Sequence, residues 1–457
     1  STSQFATVAY SYDKNVVTVT VTANDGKSKE YKVVFPSAES IATNYKNQIN
    51  VDFAGNVTSS ANDVVISANS DNTIDFKLNN FAFEGSVVGD ILVPNVQIAW
   101  NGDKVHLTSE QNITIESETF AGLKNMPMTL DADVDKDKNL TASLDITWNS
   151  QKIGVSVCKM PFDYSIDGTA LTIKNGEVKA ADYSTNLVAG LAMGMTSIDL
   201  SGVTIADENF YDNVVAAYGN NAVYFVGNNN VEGDNIVKNG NAQTLTLIDE
   251  DESMPFGSAF GFTAAAVSYD RVFKTDNYVQ SFVLPFGFTV PTGTTVAELS
   301  SVNGDNLVFK PVAETVANKP YLVVTTDADF INNLKNVQVK ATTGADLTTT
   351  VAGVSHIGSY TAQNVANVYG YANGKFVKAN TGSVKPFRTY VKVAGMQAAP
   401  MAFGVNIEGT VTGINNATTA ATAKEAIYNL QGVRVSGDLK HLTKGVYIVN
   451  GQKVVVK

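Results

Sequence analysis

Cysteine and histidine are scarce in this sequence of 457 residues. The single cysteine, Cys158, cannot form a disulfide within the chain, so cysteine spacing indicates neither a disulfide framework nor a redox compartment. The three histidines, His106, His356 and His441, are scattered, which leaves acid–base catalysis and zinc binding without a paired donor set. We therefore predict no catalytic residue, no metal site and no cofactor.

Arginine is also rare, and positive charge is in deficit. The chain has 32 Lys plus Arg against 44 Asp plus Glu, a formal net charge of −12, and its arginines are Arg271, Arg388 and Arg434. Nucleic-acid binding depends on clustered cations that release counterions from phosphate. Bidentate phosphate recognition favours the arginine fork in particular. Nucleic acid is therefore excluded from the expected partners.

Long hydrophobic runs are missing too. The nearest, from Leu187 to Met195, is short and broken by glycine, whereas a membrane helix needs roughly 18 apolar residues or more. We therefore predict no membrane-spanning segment. No signal peptide is visible at Ser1, which fits either a cytosolic protein or an exported one whose leader has been removed.

The dominant pattern in the sequence is an alternation of apolar and polar residues. It runs through residues 128–134, a polar turn, and residues 140–148, where nearly every second side chain is apolar. Such strands have one buried and one solvated face, so the pattern predicts an all-β fold. Between residues 41 and 160 the short strands follow one another as a meander, which favours closure into an antiparallel barrel without exposed edges.

Three segments resemble proteins of the Bacteroidetes cell surface. Residues 41–160 contain the phrases Leu78-Asn79-Asn80-Phe81, Val88-Gly89-Asp90-Ile91 and Val93-Pro94-Asn95-Val96, and resemble the calycin-like β-barrel domain of exported proteins. A second segment resembles a β module of large surface proteins; it contains Ala264 to Arg271, Leu284-Pro285-Phe286, Lys319 to Leu322 and Lys385-Pro386-Phe387-Arg388. The resemblance implies no settled activity for either.

The third resemblance lies at the C-terminus. Residues 427–435 and 444–454 resemble the C-terminal sorting domain of type IX secretion substrates. In that family the tail directs export and attachment. The resemblance therefore implies that residues 425–457 engage secretion or anchoring machinery and that the protein is extracellular or displayed on the outer membrane.

These patterns predict a calycin-like antiparallel barrel, followed by β-sandwich modules and a small C-terminal β tail. We expect a β-hairpin that is the remnant of a sandwich module at 1–38, the barrel at 39–160, a connecting β region at 161–255, a β-sandwich module at 256–412, a linker at 413–424 and a sorting-like β domain at 425–457.

Asp131, Asp133, Asp135 and Asp137 alternate along the sequence in a pattern that suggests a calcium site. The spacing resembles a calcium loop, but the glycine at the sixth position is missing and Ala142 stands where the bidentate acid is required. Alternation along a strand places Asp131, Asp133 and Asp135 on its solvated face. We therefore interpret them as surface residues.

Trp100 and Trp148 are the candidate ligand-binding residues. Both occupy apolar positions in the alternation of the predicted barrel strands, and both are next to a turn. At such a position an aromatic ring can stack on a sugar or line the entrance of a ligand site. The alternative, more common for such residues, is that they pack into the core or plug the rim.

Our leading hypothesis is a non-enzymatic surface or secreted protein that acts in adhesion or in binding a ligand, either a glycan or a small apolar molecule. One alternative is a glycan-degrading surface enzyme, because the 44 acids offer many carboxylate pairs and only geometry selects among them. Another is a lipocalin-like carrier or inhibitor, which requires a hollow barrel.

Overall fold

β-strands account for most of the described chain. The computed structural model describes residues 6–13, 15–83, 86–117, 123–217, 221–249, 251, 254–395, 399–409, 427–429, 434–435, 445–449 and 452–456. In this part of the chain, neither of the α-helices nor any other helical segment has the length and apolar character needed to span a membrane.

The chain begins with a small open sheet. Its strands are β1 (Ala6–Asp13), β2 (Val16–Ala23) and β3 (Ser28–Val34). They pair in the order β1-β2-β3, so a third strand is added to the hairpin that the sequence predicts. Gly26, with a φ of +79°, makes the turn between β2 and β3, a conformation that glycine adopts without steric cost.

A closed antiparallel barrel of eight strands follows. A short helix, α1 (Ala38–Ile41), precedes it. The strands of the barrel are β4 (Thr43–Phe53), β5 (Asn56–Ala68), β6 (Ile74–Phe83), β7 (Ser86–Asn101), β8 (Lys104–Ile113), β9 (Met126–Val134), β10 (Leu140–Trp148) and β11 (Gln151–Lys159). Each strand pairs with the next, and β11 pairs with β4 to close the barrel. The predicted barrel fold is thereby confirmed.

Alternation explains the barrel's interior. On β9 the side chains at positions 126, 128, 130, 132 and 134 are buried, while those between them point outward. Their inward partners on the other strands form one continuous hydrophobic cluster that includes Phe76, Leu78, Leu107 and Leu144. Burial of this apolar area is the main contribution to the stability of the barrel.

The next segment contains both strands and helical turns. Its elements are β12 (Asp163–Asp167), β13 (Ala170–Val178), a 3₁₀ turn (Ala180–Asp182), α2 (Ser184–Ala192), β14 (Ser197–Ile205), a π-helical turn (Tyr211–Ala216), β15 (Val223–Gly227), β16 (Ile236–Lys238), β17 (Asn241–Leu247) and β18 (Phe262–Tyr269). Helix α2 lies between two strands that pair in parallel, because a parallel connection must return to the starting end of the sheet.

The remaining strands before the tail are short to medium in length. They are β19 (Gln280–Val283), β20 (Thr294–Asn303), β21 (Asn306–Val312), β22 (Pro320–Thr325), β23 (Lys335–Val339), β24 (Thr348–Val351), β25 (Val354–Ser359), β26 (Gln363–Ala372), β27 (Lys375–Val384), β28 (Arg388–Val393) and β29 (Ala402–Ile407).

These strands build two large sheets. One has eight strands in the order β12-β13-β14-β15-β16-β17-β18-β23, and the other has ten in the order β19-β22-β20-β21-β29-β27-β26-β28-β25-β24. One hydrophobic cluster joins them, since it contains Leu245 and Val337 from the first sheet and Phe282 and Val323 from the second. The predicted boundary between residues 255 and 256 falls inside the eight-stranded sheet, and the division of the chain there remains a prediction.

The C-terminal strands form a sheet of their own. They are β30 (Ile427–Asn429), β31 (Arg434–Val435), β32 (Gly445–Val449) and β33 (Gln452–Val456), ordered β31-β30-β32-β33. The small β tail expected from the sequence is therefore present. The predicted linker at 413–424 lies outside the described residues.

Candidate ligand-binding site

Helix α1 covers one end of the barrel, which we call the α1 end. Ala38 and Ile41 are buried in the barrel's hydrophobic cluster. The Ala38 N–H donates to Asn72 Oδ1 at 3.0 Å, and Lys138 Nζ donates to the Ser40 carbonyl. Because Asn72 and Lys138 belong to two of the turns at this end, these bonds hold the helix against the rim.

The opposite end contains an apolar cavity of about 170 Å³, which we call the barrel cavity. Its lining side chains come from the strand ends and the β8–β9 connection: Phe53, Phe81, Val88, Ile115, Leu123, Met126, Ile146, Trp148 and Ile153. All of these side chains are hydrocarbon, thioether or aromatic in character. A cavity of this kind favours an apolar occupant, since a water molecule there would lack hydrogen-bond partners.

Gly89 positions one wall of the barrel cavity. It has a φ of +147°, and a Cβ at this position would collide with the Glu116 carbonyl oxygen and approach Ile115 Cγ2 to 2.9 Å. The absence of a side chain therefore lets the start of the β8–β9 connection lie directly on β7. The Ile115 N–H donates to the Leu123 carbonyl at 2.9 Å, which closes the base of this connection over the cavity.

Two of the segments that resemble the calycin-like family, residues 78–81 and 88–91, make structural contacts near this wall. Asp90 accepts a hydrogen bond from the Asn80 N–H at 2.9 Å and forms a 2.7 Å ion pair with Lys77. The hydrogen bond from Lys77 is the largest cause of a lowered pKa at Asp90. These contacts connect β6 to β7 where the register shifts between Leu78 and Phe81.

The structure separates the two candidate tryptophans. Trp148 is half-buried and lines the barrel cavity, whereas Trp100 is 45% exposed and lies at the α1 end. Trp100 Nε1 donates to the Val34 carbonyl at 3.1 Å, so it contacts the N-terminal sheet. The two side chains therefore do not contribute to one site. A ligand-binding role for either remains a prediction.

The two histidines that the structure describes, His106 and His356, belong to different sheets. His356 is fully buried, its Nε2 lies 2.6 Å from Thr389 Oγ1, and burial lowers its pKa to about 3. His106 Nδ1 lies 3.0 Å from Asp133 Oδ1 on the outside of the barrel. His441 lies outside the described residues. Burial therefore keeps His356 neutral at physiological pH.

The acidic strand residues make contacts within the protein. Asp135 accepts hydrogen bonds from the N–H groups of Asp137 and Asn139 and from the Asn139 side chain, which lowers its pKa. These bonds shape the β9–β10 turn. Across the described ranges, no group of three or more His, Cys, Asp or Glu side chains is arranged to hold a metal ion. Cys158 is half-buried.

Sequence reasoning missed a charged cluster between the two large sheets. Asp249 is fully buried, and its Oδ2 accepts hydrogen bonds from Arg388 Nη1 and from the Tyr269 hydroxyl. Arg271 Nη1 lies 3.8 Å from the same oxygen. Burial is the main cause of the raised pKa of Tyr269. Two of the chain's arginines thus converge on one carboxylate.

A signal for this cluster was present in the sequence. Arg271 and Arg388 each end one of the phrases that mark the resemblance to surface-protein modules. The scarcity of arginine argues against nucleic-acid binding, but it does not prevent two arginines from meeting in space.

The chain thus contains a closed eight-stranded antiparallel barrel, with a helix at one end and an apolar cavity at the other. Comparison with protein families agrees, since residues 41–160 match the family described as Calycin-like beta-barrel domain. No curated protein matches the sequence significantly.

Two solved structures show limited similarity. One is a predicted outer membrane protein from Bacteroides fragilis, with 18% identity, a TM-score of 0.22, and coverage of 34% of this chain and 66% of that chain. The other is a mutant of the vaccine antigen Transferrin Binding Protein B from Haemophilus parasuis Hp5, with 10% identity, a TM-score of 0.17, and coverage of 34% and 37%. This chain therefore spans less than two thirds of either, and neither likeness bears on function.

Proposed function

We propose that this is a non-enzymatic cell-surface or secreted protein whose calycin-like barrel binds a small apolar molecule or the apolar end of a larger one. The observation that carries the proposal is the barrel cavity, with its wholly apolar lining. Its volume of about 170 Å³ is close to that of an engineered apolar cavity of about 150 Å³ that stays dry and binds benzene. The occupant is therefore one ring or a short hydrocarbon segment.

A comparison of two valine variants tests binding. Val88 lines the barrel cavity, while its neighbour Val87 is 55% exposed on the outside of the same strand. We expect Val88→Phe to fill the cavity and abolish calorimetric binding of benzene, and Val87→Phe to leave binding unchanged. Equal binding by both variants, each with a native-like melting curve, would place the ligand elsewhere and contradict the proposal.

A location at the cell surface or outside the cell is part of the same proposal. It is supported by the resemblance of residues 425–457 to a sorting domain. We expect deletion of residues 413–457 to abolish surface display in cell fractionation while the upstream domains keep their melting transition. If the intact protein were found in the cytosol alone, the proposed location would be wrong.

The alternative from another class is a glycan-degrading enzyme that uses an acidic pair. Incubation with a panel of glycans, followed by product analysis, distinguishes the two classes. We expect no turnover, because the candidate site that the structure offers has an apolar lining. Release of shortened glycans by the intact chain would favour the enzyme instead.

A further inference from the structure

A second cleft, distinct from the barrel cavity, lies in the ten-stranded sheet. It has a volume of about 400 Å³, within the range of small-molecule sites. Strands β19 and β28 form one side and the β26–β27 hairpin forms the other. We call it the arginine cleft, because Arg271 and Arg388 both line it.

The charge of the arginine cleft is positive. The side chains of Arg271 and Arg388 are 8% and 27% exposed. Among the described residues, the carboxylate that both guanidinium groups approach is that of Asp249. Two guanidinium groups that share one carboxylate leave an excess positive charge. None of the described residues that line the cleft is acidic. This excess positive charge attracts an anion.

The two arginines are held in place before any ligand arrives. Arg271 Nη1 donates to the Ser281 carbonyl at 3.0 Å, and its guanidinium lies 4.3 Å from the centre of the Phe273 ring. Arg388 is fixed by its bond to Asp249. A guanidinium has five N–H donors in a rigid fork, a geometry that fits a carboxylate. Fixed donors lose little entropy on binding.

Tyrosine rings line the same cleft. Tyr278 lines the cleft and is 49% exposed, and Lys274 Nζ lies 4.6 Å from the centre of its ring. Tyr371 is half-buried and packs edge-on against Phe376, with ring centroids 5.4 Å apart. Such rings offer an apolar face and a hydroxyl to one ligand, which suits a molecule with both apolar C–H and polar O–H surfaces.

The hairpin side of the cleft is open at two glycines. A Cβ built on Gly370 or Gly382 meets no atom within 4 Å, and neither residue has a positive φ that would require glycine. The space in front of both residues is therefore empty, and it is accessible to a flat ligand.

We propose that the arginine cleft binds a carboxylate-bearing sugar, with the carboxylate at Arg271 and Arg388 and the ring against the tyrosines. The proposal is independent of the barrel cavity.

Calorimetry on the full chain tests the ligand class with three probes. Sodium glucuronate has the ring and the charge, glucose has the ring without the charge, and sodium acetate has the charge without the ring. We expect glucuronate to bind at least about tenfold more tightly than either of the others. We also expect its affinity to fall as salt is added, because salt screens the charges. Equal binding of glucose and glucuronate, or no binding of glucuronate, would overturn the proposal.

Two phenylalanine variants locate the site. A Cβ at Gly370 meets no atom within 4 Å, so Gly370→Phe adds a ring on the wall of the cleft. Ala366→Phe places the same ring at an exposed position of β26 that does not line the cleft. We expect only Gly370→Phe to abolish glucuronate binding, while benzene binding in the barrel cavity and the melting temperature stay unchanged. Retained glucuronate binding by Gly370→Phe would show that the arginine cleft is not the site.

Discussion

Trp100 donates a hydrogen bond from its indole N–H to the carbonyl of Val34, 66 residues earlier in the chain, at 3.1 Å. The bond joins the barrel to the last strand of the N-terminal sheet. Trp100 therefore has a structural contact at the α1 end, while Trp148 faces the cavity at the other end. The two tryptophans share an alternation pattern and differ in their surroundings.

The variant Trp100→Phe tests this contact. It removes the N–H donor while retaining an aromatic ring, and a typical hydrogen bond contributes about 1 kcal/mol. We expect faster hydrogen exchange in β3 and an unchanged melting transition of the barrel. The matched variant Trp148→Phe should leave exchange in β3 at the wild-type rate. Unchanged exchange in Trp100→Phe would show that the bond does not hold the N-terminal sheet.

Gly89→Ala should disturb the barrel cavity more than Gly55→Ala. Both glycines have positive φ, at +147° and +87°, so both variants strain the backbone. Only at Gly89 does an added Cβ meet other atoms, those of Glu116 and Ile115. We expect Gly89→Ala to lower both the unfolding free energy and the benzene affinity, and Gly55→Ala to lower only the unfolding free energy, by about 1 kcal/mol. Equal benzene affinities would argue against a role for Gly89 in the cavity.

His356 should make stability depend on pH. Its pKa is about 3 in the folded protein and about 6.5 when exposed. As the pH falls below about 6.5, the unfolded chain binds a proton that the folded chain does not. Stability is therefore complete above that pH and falls by about 1.4 kcal/mol per pH unit toward pH 3.

The variant His356→Gln isolates this effect, because glutamine does not titrate. We expect urea denaturation at about pH 7 and about pH 5 to show a loss in the wild type that exceeds the loss in the variant by roughly 2 kcal/mol. Identical pH dependence in the two proteins would mean that His356 gains a proton while folded.

Asp249→Asn should be strongly destabilising. The substitution removes a buried charge and leaves two guanidinium groups without their carboxylate, a change that costs about 3–5 kcal/mol. Asp346 pairs with Lys319 at 3.1 Å but is 73% exposed, so Asp346→Asn is a control with little expected effect. Similar unfolding free energies for the two variants would contradict the structural importance of the Asp249 cluster.

Alternation predicted the barrel because each of its strands has one buried face. It predicted the eight-stranded sheet poorly, since strands such as Val223–Gly227 are nearly continuous in apolar residues and their parallel pairing leaves no period-two signal. The opposite locations of Trp100 and Trp148 depend on strand direction: β7 and β10 are antiparallel, and both tryptophans are near the C-terminal ends of their strands.

The charged cluster was beyond sequence reasoning for a different reason. Asp249 and Arg388 are 139 residues apart, and their meeting depends on how two sheets pack. The barrel cavity likewise depends on the path of the β8–β9 connection, which alternation does not predict.

Fluorescence of the Trp100→Phe variant tests the central claim most directly. The chain has two tryptophans, so this variant leaves Trp148 as the single indole, and Trp148 lines the barrel cavity. Titration with benzene should give a saturable change in the Trp148 emission that disappears when Val88→Phe is added. Emission that does not change with benzene, or changes equally in the filled variant, would contradict a ligand-binding barrel.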